Sequence, residues 1–146
     1  MQVLPSPDPL PLDPTLEQVR AYFSYDRFAF KVTGCVVEEA AYGYAVCSLE
    51  LEERHLNAQN FPMGGATFTL ADFALAVACN YNEAPTVVVS NTIDFLNTAK
   101  GTLLTAKARM VSASRKLAFY QVDVHDETGV HVAQMNAKCY RVSKKC

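Results

Sequence analysis

The sequence lacks any C-x-x-C pair and any cysteine–histidine grouping at metal-ligand spacing. Its five cysteines, Cys35, Cys47, Cys79, Cys139 and Cys146, are odd in number and scattered through apolar runs. That excludes a disulfide framework and a zinc module, and points to free thiols in a reducing compartment. The internal four read as small buried hydrophobes and the terminal one as exposed. No uninterrupted apolar run approaches the ~18 residues of a transmembrane helix. Met1–Pro14 has neither the basic segment nor the continuous apolar core of a signal peptide. A soluble, cytoplasmic protein with no membrane partner is therefore expected. Excess charge is also missing. A formal net charge of −2 offers no general attraction for nucleic acid or anionic lipid, so an anionic ligand must be held by a local cluster. No internal repeat is visible.

What remains is ordinary globular material, with 50% hydrophobic and 19% charged residues over 146 positions. That length suits a single domain with a real core. Prolines at 5, 7, 9, 11 and 14 mark residues 1–13 as an extended arm, leaving 14–146 for the domain. Asp13-Pro14 reads as an N-cap and first helical residue, with a short helix through about Tyr22. Strands are expected at Gly34–Ala40 and Tyr44–Leu51 around a Tyr42-Gly43 turn, then an irregular stretch from Glu52 to Pro62. Ala66 to about Cys79 is the one long helix. It is apolar around nearly its whole circumference and must be buried on most sides. Four strands follow at Thr86–Phe95, Leu103–Val111, Leu117–His125 and Val130–Arg141, the last pair joined by Asp126-Glu127-Thr128-Gly129. Leu104, Ala106, Ala108 and Met110 alternate with Thr105, Lys107 and Arg109, so that strand has one buried and one wet face. The layout is α+β: an antiparallel sheet curled round a central helix, in an order that the pattern does not specify.

Asp72 breaks the apolar helix. Aspartate is a poor helix-interior residue and its charge is costly to bury unpaired. Either it has a partner or a task, or it points to solvent along a thin stripe with Thr69. Gly64-Gly65 precedes the same helix, where glycine admits a ligand close to the backbone. The first N–H groups there have no intrahelical acceptor, which suits an oxyanion, although a Gly-Gly pair is equally a sharp turn. Gly64 and Asp72 lie roughly 10–12 Å apart along one helix. A single carbonyl needs base and oxyanion donor within about 3 Å of its atoms, so one chain is too stretched to serve it alone. Two antiparallel helices across a two-fold axis solve this, each offering its N-terminus to the other's aspartate.

His55-Leu56-Asn57, Met63-Gly64-Gly65 and Thr69-Leu70-Ala71-Asp72, in that order and spacing, resemble the PaaI-like acyl-CoA thioesterases of the hot-dog superfamily, whose pattern is H-x-N, H-G-G and T-L-x-D. The similarity extends over about Phe28 to Arg141. It implies a hot-dog fold, hydrolysis of acyl-coenzyme A thioesters, coenzyme A present only as part of the substrate, no metal, and a homodimer or dimer-of-dimers tetramer. By resemblance, Asp72 is the catalytic carboxylate, as general base or nucleophile, and the Gly64 N–H is the oxyanion donor, with Gly65 and Met63 beside the substrate. Asn57 helps place the attacking water, against a loop-capping role. Ser90 matches a hydroxyl position eighteen residues after the aspartate, against an ordinary strand role on one face with Thr92 and Asp94. One departure is Met63 where the family often has histidine. It bears on rate and substrate preference more than on fold.

Arg115-Lys116, between two strands, is the best candidate cluster for the phosphates of coenzyme A, against a solvated basic turn; Lys100 and Lys138 are weaker. His55 reads as structural, and nothing marks His125 or His131 as ligands. Two rival functions stand beside hydrolysis: a non-catalytic acyl-CoA-binding protein, and a hot-dog hydroxyacyl dehydratase, which would need a histidine near the turn that Met63 does not supply.

Overall fold

A computed structural model describes residues 1–82 and 85–142. The elements run α1 (Leu16–Phe23), β1 (Val36–Ala41), β2 (Tyr44–Glu50), α2 (Gly64–Asn80), β3 (Thr86–Phe95), β4 (Leu103–Ala113), β5 (Leu117–Asp126) and β6 (His131–Arg141). A π-helical segment at Phe28–Thr33 and a short 3₁₀ turn at Glu53–His55 add to these. All strand pairings are antiparallel and form one six-stranded sheet in the order β1-β2-β4-β5-β6-β3. The sheet wraps α2, which is the hot-dog arrangement. Among the described residues no helix is long and apolar enough to cross a membrane.

The wrapping follows from α2 itself. Leu70, Ala71, Ala74, Leu75 and Val77 have no exposed surface, and Phe73 has 2%. They meet sheet residues that are equally dry, among them Ala106, Ala108, Val122, Val124 and Met135. Burying a side chain such as Leu70 or Leu75 stabilises by about 1.5–3 kcal/mol, so no exposed position for this helix is competitive. The alternation expected in β4 holds: Leu104, Ala106 and Ala108 are buried while Lys107 and Arg109 are exposed. Cys35, Cys47, Cys79 and Cys139 are buried free thiols, and burial pushes the Cys35 thiol up to about 12. Cys146 lies outside the described residues.

Two local expectations are corrected, the start of the first helix and that of the first strand. The first helix starts after Thr15, not at Pro14, and Asp13 has a left-handed φ of 60°. A capping box decides this: the Gln18 N–H donates to Thr15 Oγ1 and the Thr15 N–H to Gln18 Oε1. The first strand starts at Val36, because Gly34, with φ of 95°, closes the π-helical segment and donates to Ala29 O. That segment had no readable period. The arm is surface-hugging: residues 7–11 border α1 at Tyr22, and Arg27 donates to Pro5 O at 3.0 Å.

The turn between β5 and β6 does more than reverse the chain. Asp126 Oδ2 accepts the N–H groups of Lys100 and Gly101, while Oδ1 accepts those of Thr128 and Val130 and the Thr128 hydroxyl. Glu127 takes the N–H groups of Thr102 and Leu103. Two adjacent acids thus clamp the β3–β4 loop, whose residues Asn97–Ala99 border Gly64 at the start of α2. Burial acts to raise the Asp126 pKa, but the donors from Gly101, Thr128, Lys100 and Val130 outweigh it and hold the carboxyl well below its ordinary 3.8. A depressed folded value stabilises fully above the ordinary value and loses that contribution as pH falls through the folded one. Asp126→Ala is therefore expected to lower Tm by on the order of 5 °C at neutral pH, with the difference shrinking in strong acid. Thermal unfolding of both proteins from pH 7 to pH 2 checks this.

Candidate active site

The face of α2 turned away from the sheet carries Gly65, Phe68, Thr69, Asp72 and Ala76, spaced at three, four and seven residues as one helical stripe requires. Asp72 therefore does lie along the stripe with Thr69, yet it is only half exposed to solvent. It sits in a cleft of about 530 Å³ between α2 and the turn Tyr25–Ala29. Its Oδ1 accepts the Asn91 Nδ2–H at 3.1 Å, and among the described residues its Oδ2 has no hydrogen-bond partner. Burial raises the Asp72 pKa above 3.8, and the Asn91 donor opposes the rise in part. A carboxyl so tuned is a better base once ionised than an exposed aspartate.

At the start of α2, Gly64 and Gly65 follow an N-cap, Met63, that supplies no side-chain hydrogen bond. The first turn closes with the N–H groups of Ala66 and Thr67 on Met63 O. Among the described residues the N–H groups of Gly64 and Gly65 have no acceptor, and they stand at the positive end of a 17-residue helix. A Cβ at Gly64 would lie 3.2 Å from the Phe95 ring, tight enough to force that ring aside. Met63, 57% exposed, borders a second cleft of about 440 Å³ that also reaches Gly65 and Phe28. The two clefts share Phe28, Phe68 and Thr69 and so adjoin along the stripe from Asp72 to Gly65, while Gly64 borders another cleft with Phe61, Pro62 and Phe95. Within one chain the acid and the Gly64 N–H are still eight residues apart on the same helix, about 12 Å along its axis.

The remaining candidates are placed as follows. Asn57 is exposed, and its Oδ1 accepts the N–H groups of Gln59 and Phe61, so in the single chain it acts as the loop cap. His55 is structural: Nδ1 accepts the Glu52 N–H and Nε2 lies 2.7 Å from Thr33 O, as the donor in that tautomer. With both ring nitrogens occupied, no free imidazole stands at this turn for dehydratase chemistry. His131 meets Asp123 Oδ1 at 3.0 Å and stacks on His125. Arg115 and Lys116 are exposed in the β4–β5 turn. In the single chain that turn is at the sheet end where Leu117 pairs with Tyr140, whereas Gly64 is at the other end with Phe95, which pairs with Ala133.

Ser90 is exposed and makes no hydrogen bond to Asp72; its neighbour Asn91 does. A bulge explains the exchange. Between Val88 and Ser90 the register of β3 against β6 slips by one residue, so that Asn91 and Ile93 turn toward α2 while Ser90, Thr92 and Asp94 turn away. Asp26 was also not anticipated. It borders the Asp72 cleft, and its pKa is raised by burial and then by the charge of Asp72. Asparagine's rarity in strand interiors was the one available signal for Asn91; none existed for Asp26.

Comparison with known proteins bears on this geometry. The family model described as the thioesterase superfamily matches residues 60–133, which include Gly64, Asp72 and Asn91. Human acyl-coenzyme A thioesterase 13 is 33% identical over 115 residues, covering 76% of this chain and 80% of the relative. The structure of the PaaI protein from the phenylacetic acid degradation operon of Escherichia coli superposes with a TM-score of 0.78 at 27% identity, covering 88% of this chain and 97% of that one. The TT0310 protein of Thermus thermophilus superposes at 0.73 with 32% identity, over 77% and 96% of the two chains. The chain belongs to the thioesterase superfamily and is a PaaI-like thioesterase of the hot-dog fold.

Proposed function

We propose that the protein hydrolyses acyl-coenzyme A thioesters as a symmetric dimer, with Asp72 of one subunit facing the Gly64 N–H of the other. The observation that carries this is a half-buried carboxylate with one oxygen held by Asn91 and the other without a partner among the described residues, on the same helix as two N-terminal N–H groups that have no acceptor there. Relatives named acyl-coenzyme A thioesterases, from human and from Escherichia coli, support the substrate class.

In this reading the thioester carbonyl oxygen rests on the Gly64 N–H of the partner subunit, with Gly65 and Met63 beside it. Asp72 Oδ2 takes a proton from water as the water oxygen bonds to the carbonyl carbon; if it attacks that carbon itself instead, the thiolate leaves from a mixed anhydride that water then hydrolyses, freeing the acid and Asp72 and supplying the thiol's proton. Collapse of the tetrahedral intermediate expels the coenzyme A thiolate, which recovers the proton. The products are a carboxylic acid and a thiol. Thioesters lack strong resonance stabilisation and thiolates leave well, so one base and one oxyanion donor suffice. General-base help is worth typically about 10²–10⁴-fold and one oxyanion donor roughly 10²–10³-fold. Asn57 and Ser90, both exposed in the single chain, are then available to the partner's site, where they would help place the water or flank the acid. Asp72→Ala is expected to remove at least about 10²-fold of kcat for every acyl-CoA in a thiol-release assay while the oligomer stays folded.

Strand β3 supports the assembly. It is a sheet edge, paired on one side only to β6, and it carries Val87, Val88 and Val89 at 50%, 39% and 64% exposure. An apolar edge of this kind is stable in solution when another strand covers it, and β3 against a second β3 sets two α2 helices side by side and antiparallel. Val89→Glu places two like charges in that seam. It should give a folded monomer by sedimentation with activity reduced as severely as in Asp72→Ala.

The same antiparallel pairing moves the partner's Arg115-Lys116 turn toward the Gly64 end of the first subunit, where coenzyme A phosphates would need cations. Neutralising both residues is expected to raise KM for acyl-CoA by roughly 2- to 10-fold, with little change for short thioesters that lack the nucleotide. Parallel KM measurements on the two substrate types decide the assignment.

A further inference from the structure

We propose that Asn91 is a positioning residue for Asp72: its amide N–H holds Oδ1, and this leaves Oδ2 as the oxygen that takes the proton from water. The inference rests on the general-base form of the reading above.

Three observations carry it. The Asn91 Nδ2–H to Asp72 Oδ1 contact, at 3.1 Å, is the one hydrogen bond to this carboxylate among the described residues. The other end of the amide, Asn91 Oδ1, is fully buried and has no partner. A polar side chain chosen for stability would not leave a buried acceptor unmet, and a leucine of similar size would pack there without that penalty. Finally, the amide reaches Asp72 only because the bulge after Val88 turns residue 91 toward α2; in a regular strand residue 90 would take its place. A local irregularity and an unmet acceptor are thus both retained around one bond to the site carboxylate.

The amide has one workable orientation while Asp72 is ionised. Turning it over would set Oδ1 against a carboxylate oxygen, lone pair to lone pair. The N–H therefore favours the charged form of Asp72 and fixes the rotation of its carboxylate, the two properties a positioned base requires. Other groups bear on the same acid. Asp26 faces it from the turn before the π-helical segment, with Tyr25 and Arg27 bordering the cleft, and Cys79 and Cys139 feel its charge from α2 and β6. Burial remains the larger influence on Asp72, with Asn91 the opposing one.

The test compares Asn91→Leu, Asn91→Asp and Asp72→Ala with wild type, using kcat and KM for one cleaved acyl-CoA across pH 4–9 together with Tm. Asn91→Leu is expected to retain or raise Tm and to leave KM within about twofold. It should lower kcat roughly 10-fold, part of the about 10²–10⁴-fold that a general base supplies. The acid limb of its profile should move to higher pH, because a donor favouring the ionised form is gone. Asn91→Asp, of nearly the same shape, should move the limb further, because a second carboxylate then faces the first. Its profile decides the matter if the leucine variant fails to fold. A Tm loss without any change in the position of the limb would mark Asn91 as merely structural and overturn the proposal. So would unchanged kcat and limb in either variant while Asp72→Ala is inactive, and the function proposed above would then still stand. Full activity in Asp72→Ala would overturn both.

Discussion

A helix with almost no polar surface has to be surrounded, and the rest of this structure is arranged around that requirement. Nine side chains of α2 are buried, and the sheet closes over them in a single curl. Only the stripe through Gly65, Thr69 and Asp72 escapes, because six strands cover a helix from one side and leave the far side to loops and to whatever packs there. The stripe's members, Gly65, Phe68, Thr69, Asp72 and Ala76, include the one acid of the helix, whereas the buried faces are mostly leucine, valine, alanine and phenylalanine.

That single constraint also explains the site's electrostatics. An aspartate on the free stripe of a buried helix is close enough to water to ionise, yet close enough to apolar walls to resist ionisation. Phe68, Phe73 and Phe28 border its cleft and supply the walls, and Asp26 adds a like charge. Asn91 pulls the other way. Two helix N–H groups wait at the positive end of the same element without an acceptor among the described residues. The acid and the Gly64 donor share one axis and so cannot converge within a chain, and this is why the proposed function calls for a second copy.

Acidic side chains do different work elsewhere in the fold. Asp126 and Glu127 are spent on backbone N–H groups and hold the loop beside Gly64. Asp126 has five donors and a lowered pKa; Asp72 has one donor and a raised one. The number of donors thus separates the two aspartates, one saturated by backbone N–H groups and a hydroxyl and the other left with an open oxygen among the described residues. The histidines fall on the structural side, since His55 has both nitrogens engaged and His131 is paired with Asp123.

What the sequence determined by itself was the set of elements and the identity of the odd residue. Period-two alternation in β4, the all-round apolar helix, the Asp126–Gly129 turn and an aspartate inside that helix are local patterns, and local patterns survive without knowledge of the fold. The motif around Gly64 and Asp72 added the fold family on the same terms. Strand order, the π-helical segment over Phe28–Thr33 and the carboxylate at Asp26 depend on contacts distant in sequence and left no period to read. The exchange of Ser90 for Asn91 is the clearest case. One extra residue in β3 inverts the facing of every residue after it, and only the pairing with β6 decides where that residue is accommodated.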